Sequence, residues 1–126
     1  MKKRIAILGS TGSIGTQALE VIRKQKDFFE VELLTANSNC NLLVEQAKEF
    51  LPNTVVIADK EKYKQLKDNL AALPIKVFAG EESICQCVES DSIDVVLTAM
   101  VGYAGLLPTV AAIKAKKILH LQIKKR

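Results

Sequence analysis

Short aliphatic runs alternate along this chain with longer stretches of helical periodicity. The first run, Ile5-Ala6-Ile7-Leu8, predicts a strand over residues 3–8. Ile14, Ala18, Leu19, Val21 and Ile22 then form an apolar stripe that predicts a helix over residues 13–25. A strand over residues 28–36 is expected from Val31, Leu33 and Leu34, and a helix over residues 41–50 from Leu42, Leu43, Ala47 and Phe50. Pro52-Asn53 breaks the chain before the strand Val55-Val56-Ile57. An amphipathic helix is predicted over residues 60–73, closed by Pro74, then a strand over residues 75–78. A helix over residues 81–89 and a strand over residues 94–98 follow. Gly105-Leu106-Leu107-Pro108 leads into a helix through Lys114, and a last apolar stretch occupies residues 118–123.

Strands alternating with helices predict a parallel sheet covered on both faces. The expected fold is therefore α/β, a doubly wound Rossmann-type NAD(P)-binding domain. In such folds the ligand lies beyond the C-terminal strand ends, near the switch in strand order. Three loops occupy that position here: residues 9–15, 36–39 and 99–105.

The first loop, Gly9-Ser10-Thr11-Gly12-Ser13-Ile14-Gly15, carries the strongest chemistry. Glycines three apart allow a sharp strand-to-helix turn and a close approach of ligand to main chain. Unpaired N–H groups at the following helix start attract phosphate, so Gly9, Ser10, Thr11, Gly12, Ser13 and Ile14 are candidate pyrophosphate contacts. A tight turn with no ligand is the plainer reading of the same residues.

After the second strand, Asn37, Ser38 and Asn39 stand where NAD-specific domains place an acid. A carboxylate would repel a ribose 2′-phosphate, whereas amides and hydroxyls can donate to it, so the stretch leans towards NADP. The same residues suit a turn and a helix cap. In the third loop Ala99, Met100 and Val101 are candidates to line the cofactor, with core filling as the alternative.

At 126 residues and 48% hydrophobic content, the chain has one domain's worth of core. No apolar run reaches membrane-spanning length, and the basic start before Ile5 is followed too soon by glycine for a signal peptide. The net charge of +4 owes three charges to Lys124, Lys125 and Arg126, and aromatic–basic interleaving is missing, so nucleic acid is not an expected partner. Cys40, Cys85 and Cys87 give neither a disulfide framework nor zinc spacing, which suits a reducing cytoplasm. His120 has no carboxylate near it in sequence, and Asp91 and Asp94 have ordinary turn composition. No catalytic residue and no metal ligand is expected.

Two segments together carry a family resemblance: residues 7–15, ILGSTGSIG, and residues 99–109, AMVGYAGLLPT. With Val44-Glu45-Gln46 and Ala111-Ala112-Ile113, they resemble 1-deoxy-D-xylulose 5-phosphate reductoisomerase over residues 1–118. That family forms 2-C-methyl-D-erythritol 4-phosphate for isoprenoid precursors, by a metal-assisted rearrangement and hydride transfer from NADPH. The resemblance implies NADPH contacts at Thr11, Gly12, Ser13, Ile14 and Asn39. It also implies a divalent metal, Mg or Mn, and a cytoplasmic homodimer for the complete enzyme. Many relatives have Gly and Lys where this chain has Asn37 and Ser38, a departure at the 2′-phosphate.

A second departure begins at Leu119. The family continues with an Ala-Asn-Lys-Glu segment, whereas this chain reads Leu119-His120-Leu121-Gln122-Ile123-Lys124. Codons for Leu-Ala-Leu-Ala-Asn-Lys, read one base later, yield Leu-His-Leu-Gln-Ile-Lys. The expectation is a dinucleotide-binding domain at residues 1–118 and an aberrant, frameshifted tail at residues 119–126. The sheet would be incomplete, and the isolated chain would bind cofactor without acting on 1-deoxy-D-xylulose 5-phosphate. Rival readings are a non-catalytic nucleotide-binding regulatory module and an NAD(P)-dependent dehydrogenase of another family.

Overall fold

A computed structural model of the protein describes residues 2–98 and the backbone of residues 118–121. In chain order the elements are β1 (Lys3–Leu8), α1 (Ser13–Lys24), β2 (Phe29–Ala36), α2 (Cys40–Phe50), β3 (Thr54–Ile57), a 3-10 turn (Lys60–Lys62), α3 (Tyr63–Asn69), β4 (Lys76–Ala79), α4 (Glu81–Val88), β5 (Val95–Thr98) and β6 (Ile118–Leu121). The six strands are parallel neighbours in the order β4-β3-β2-β1-β5-β6. Strand order reverses between β1 and β5, the switch point expected of a doubly wound sheet.

Period-two alternation sorts the strand residues into two cores. Ile5, Ile7, Val55 and Ile57 face α1, α2 and α3, which contribute Leu19, Ile22, Leu43, Val44, Ala47 and Leu66. Ala6, Leu8, Val56 and Val96 face the other way, towards Ile84 and Val88 of α4. The two faces meet different helices, so both must be apolar, and β3 is buried at every position.

β2 breaks the alternation. Ile5 pairs with Val31 but Ala6 pairs with Leu33, which leaves Glu32 as an extra residue. Val31 and Leu34 consequently join the first core, while Leu33 joins the second. The bulge therefore puts Leu34, rather than Leu33, on the same face as Val31.

Two sequence expectations shift. The helix predicted over residues 60–73 divides into the 3-10 turn at Lys60–Lys62 and α3, which ends at Asn69. Asp59 caps the turn through its carboxylate on the Glu61 N–H, and Leu70 N–H is shared between the Leu66 and Lys67 carbonyls as the last turn tightens. Leu73, preceding Pro74, is disfavoured in helix, so the chain leaves early. Val21, placed on the apolar stripe of α1, is 60% exposed, because the buried edge runs through Gly15, Leu19 and Ile22, with Ala18 packed beside them. β6 runs to Leu121 in register with β5, from Val95 opposite Ile118 to Thr98 opposite Leu121, within the last apolar stretch of the sequence. The helix expected through Lys114 lies outside the described residues.

Candidate cofactor-binding site

At the end of β1 the chain turns at Gly9, whose φ of 86° lies in the left-handed region that glycine tolerates. Gly9 N–H donates to the Thr35 carbonyl and hydroxyl, each at 3.1 Å, and Ser10 N–H donates to the same carbonyl at 2.8 Å. β2 therefore anchors the loop as it leaves β1.

A second anchor comes from α2. Ser10 is fully buried, and its hydroxyl donates to Gln46 Oε1 at 2.7 Å. Gln46 Nε2 in turn donates to the Ser10 carbonyl at 2.9 Å. Ser10, expected as a cofactor contact, thus has its N–H, carbonyl and hydroxyl all engaged in holding the loop. Neither Thr35 nor Gln46 was picked out as a site residue from the sequence. A buried polar residue on an amphipathic helix was the available signal for Gln46, since buried amides need partners.

The far end of the loop is open. Gly12, the N-cap of α1, is exposed and has no side chain with which to cap the helix, and the first turn contains no acid. The 12-residue α1 has no side-chain cap, so its positive dipole end faces outward at Gly12, Ser13 and Ile14, while the Gly12 N–H turns back to the Gly9 carbonyl at 3.3 Å. Thr11 and Ile14 are half-buried beside them. The glycines divide the work. A Cβ on Gly15 would stand 2.2 Å from the Gly9 carbonyl oxygen, so Gly15 allows α1 to close onto the loop. On Gly12 the nearest neighbour is 3.7 Å away, so that surface is free for a ligand.

Along the same rim, Asn37, Ser38 and Asn39 are all exposed at the end of β2. Asn39 caps α2, its Oδ1 accepting from Leu42 N–H at 3.2 Å, which leaves its amide NH2 outward. The Asn37 carbonyl accepts from Asp59 N–H at 2.9 Å, fixing the exit of β3 beside the exit of β2. Beyond β1 on the other side, Thr98 ends β5 opposite Leu8, and its buried hydroxyl has no partner among the described residues. The expected contacts Ala99, Met100 and Val101 lie outside the described residues.

A family model described as 1-deoxy-D-xylulose 5-phosphate reductoisomerase matches residues 5–125. The chain belongs to this family. The reductoisomerase of Phocaeicola vulgatus is 62% identical over 121 residues, covering 96% of this chain and 32% of that protein. That of Porphyromonas gingivalis is 57% identical over 121 residues, with coverage of 96% and 31%. Among solved structures, the Zymomonas mobilis reductoisomerase in complex with NADPH superposes with a TM-score of 0.91 at 35% identity, over 96% of this chain and 32% of that one. A reductoisomerase in complex with NADPH, fosmidomycin and magnesium gives a TM-score of 0.89 at 34% identity, over 93% and 29%. The chain therefore spans about a third of the length of its reductoisomerase relatives. Membership excludes the reading as a dehydrogenase of another family.

The loop at residues 9–14 fits a dinucleotide, whose charge suits the positive, acid-free start of α1 and whose bulk suits bare glycine. For a divalent metal there is no such fit: no group of three His, Cys, Asp or Glu side chains that could hold one occurs among the described residues. Burial pushes the thiols of Cys40, Cys85 and Cys87 up, which favours the inert thiol over the thiolate. No helix among the described residues is long and apolar enough to cross a membrane.

Proposed function

We propose that this chain is the NADPH-binding portion of a 1-deoxy-D-xylulose 5-phosphate reductoisomerase. Thr11, Gly12, Ser13 and Ile14 meet the pyrophosphate at the positive start of α1, with Gly9 and Ser10 shaping the loop. Asn37, Ser38 and Asn39 meet the adenosine ribose and its 2′-phosphate, and Ala99, Met100 and Val101 line the nicotinamide side. The observation that carries this reading is the uncapped, acid-free start of α1 at the β1–β5 switch point, held by Thr35 and Gln46. In the complete enzyme, a cytoplasmic homodimer with Mg or Mn, hydride from this cofactor reduces the rearranged pentulose phosphate to 2-C-methyl-D-erythritol 4-phosphate.

Equilibrium titration of the chain with NADPH, NADH and ADP-ribose tests the assignment. Saturable binding of all three, tightest for NADPH, supports it. A folded chain that binds none of them at millimolar concentration overturns it.

A further inference from the structure

The rim after β2 offers a 2′-phosphate only neutral donors, since Asn37, Ser38 and Asn39 are uncharged. The neighbouring exit loop of β3 carries two lysines, Lys60 and Lys62, alternating with Asp59 and Glu61. Two backbone bonds lock the exits together: Ala58 N–H to the Ala36 carbonyl at 2.8 Å and Asp59 N–H to the Asn37 carbonyl at 2.9 Å. One turn on, Gln65 Nε2 reaches Asn41 Oδ1 at 3.1 Å in the first turn of α2. Lys62 lies three residues before Gln65, a spacing that places both on one helical face. That face looks onto the start of α2.

The two lysines differ in what already holds them. Lys60 reaches towards α4: its Nζ lies 3.7 Å from Glu82 Oε1, and its Cε lies where a Cβ on Gly80 would stand, 2.7 Å away. Lys62 is half-buried and has no carboxylate within ion-pairing distance among the described residues. The Gln65–Asn41 bond sets this face on the α2 side of the β3 exit, and the Lys62 charge opposes the upward push of burial on the Cys40 thiol, the first residue of α2. Of the two acids before it, Glu61 is adjacent, exposed and not ion-paired to it, and Asp59 has its carboxylate on the Glu61 N–H at 3.0 Å.

We infer that Lys62 supplies the cation for the cofactor's 2′-phosphate, from the β3 exit rather than from the β2 loop, and so sets the preference for NADPH over NADH. The inference rests on the assignment of residues 37–39 to the ribose end. An ammonium beside a helix start and the Asn39 amide forms a charge-assisted phosphate site. It makes Lys62 a specificity-determining residue.

The test is binding of NADPH, NADH, 2′,5′-ADP and 5′-ADP to the full chain and to the variants Lys62→Met, Lys62→Arg and Lys60→Met. Lys62→Met should weaken NADPH and 2′,5′-ADP by about tenfold, the lower range for a charged hydrogen bond, and leave NADH and 5′-ADP within about twofold. Lys62→Arg should restore most of the preference, and Lys60→Met should leave it unchanged. Equal losses for phosphorylated and unphosphorylated ligands, or no loss in Lys62→Met, overturn the inference while the NADPH assignment stands. An unmutated chain that binds no dinucleotide refutes the underlying assignment instead. Thermal melts separate unfolding from lost recognition, because a misfolded variant loses all four ligands.

Discussion

Ser10 and Gln46, 36 residues apart, exchange two hydrogen bonds, hydroxyl to amide oxygen at 2.7 Å and amide nitrogen to carbonyl at 2.9 Å. The amide satisfies two buried groups of the glycine loop at once. Gln46→Leu keeps the bulk but orphans both groups, at a cost of about 1–3 kcal/mol. Loss of preorganisation should also weaken NADPH by about tenfold. Urea unfolding and cofactor titration check the two effects separately.

Gly12 and Gly15 should respond oppositely to the same substitution. Gly15→Ala forces a Cβ to within 2.2 Å of the Gly9 carbonyl and should destabilise the chain by about 3 kcal/mol or more. Gly12→Ala finds open space at a φ of −79° and should change stability by no more than about 1 kcal/mol. Its methyl group stands where the pyrophosphate approaches, so NADPH binding should fall by about tenfold. Paired melts and titrations of both variants decide this division.

How far these features were legible in the sequence depends on what each rests on. The alternation of Ile5, Ala6, Ile7 and Leu8 predicted β1 because both faces of the sheet are buried. The bulge at Glu32 was not legible, since it comes from pairing with a strand far along the chain, and the split before α3 rests on the Asp59 cap, which apolar periodicity does not report. The glycine spacing announced the loop, yet spacing does not say which residues meet a ligand and which support it. Ser10 is one such residue: it is buried, and its hydroxyl and carbonyl bond to Gln46. Thr35 was hidden for the same reason, being one more β-branched residue in a strand.

At the opposite end of the sheet, Arg4 clamps β1 to β5. Its N–H donates to Asp94 Oδ2 at 2.9 Å, and its guanidinium reaches both carboxylate oxygens at 3.2 Å. These bonds hold the Asp94 carboxyl down from its ordinary value of 3.8 to about 2. The depressed value means that this stabilisation is complete above the ordinary value and is lost as pH falls through about 2. Asp94→Asn should therefore lower the melting temperature at neutral pH and flatten its fall in this acid range. Melting curves across the range give the comparison.

The chain spans about a third of its relatives, and the described residues contain no metal-holding cluster. With NADPH, Mg and 1-deoxy-D-xylulose 5-phosphate supplied, the isolated chain should show no turnover above background. Continuous monitoring of NADPH absorbance checks this, and a protein-dependent, substrate-dependent decrease would refute it.

The central claim is that the glycine loop holds the cofactor. Amide chemical-shift mapping of the labelled chain during NADPH titration tests it most directly. The account predicts saturable shifts largest at Thr11, Gly12, Ser13 and Ile14, with a second group at Asn37, Ser38 and Asn39. Saturable binding that leaves these amides unmoved and perturbs another surface would contradict it.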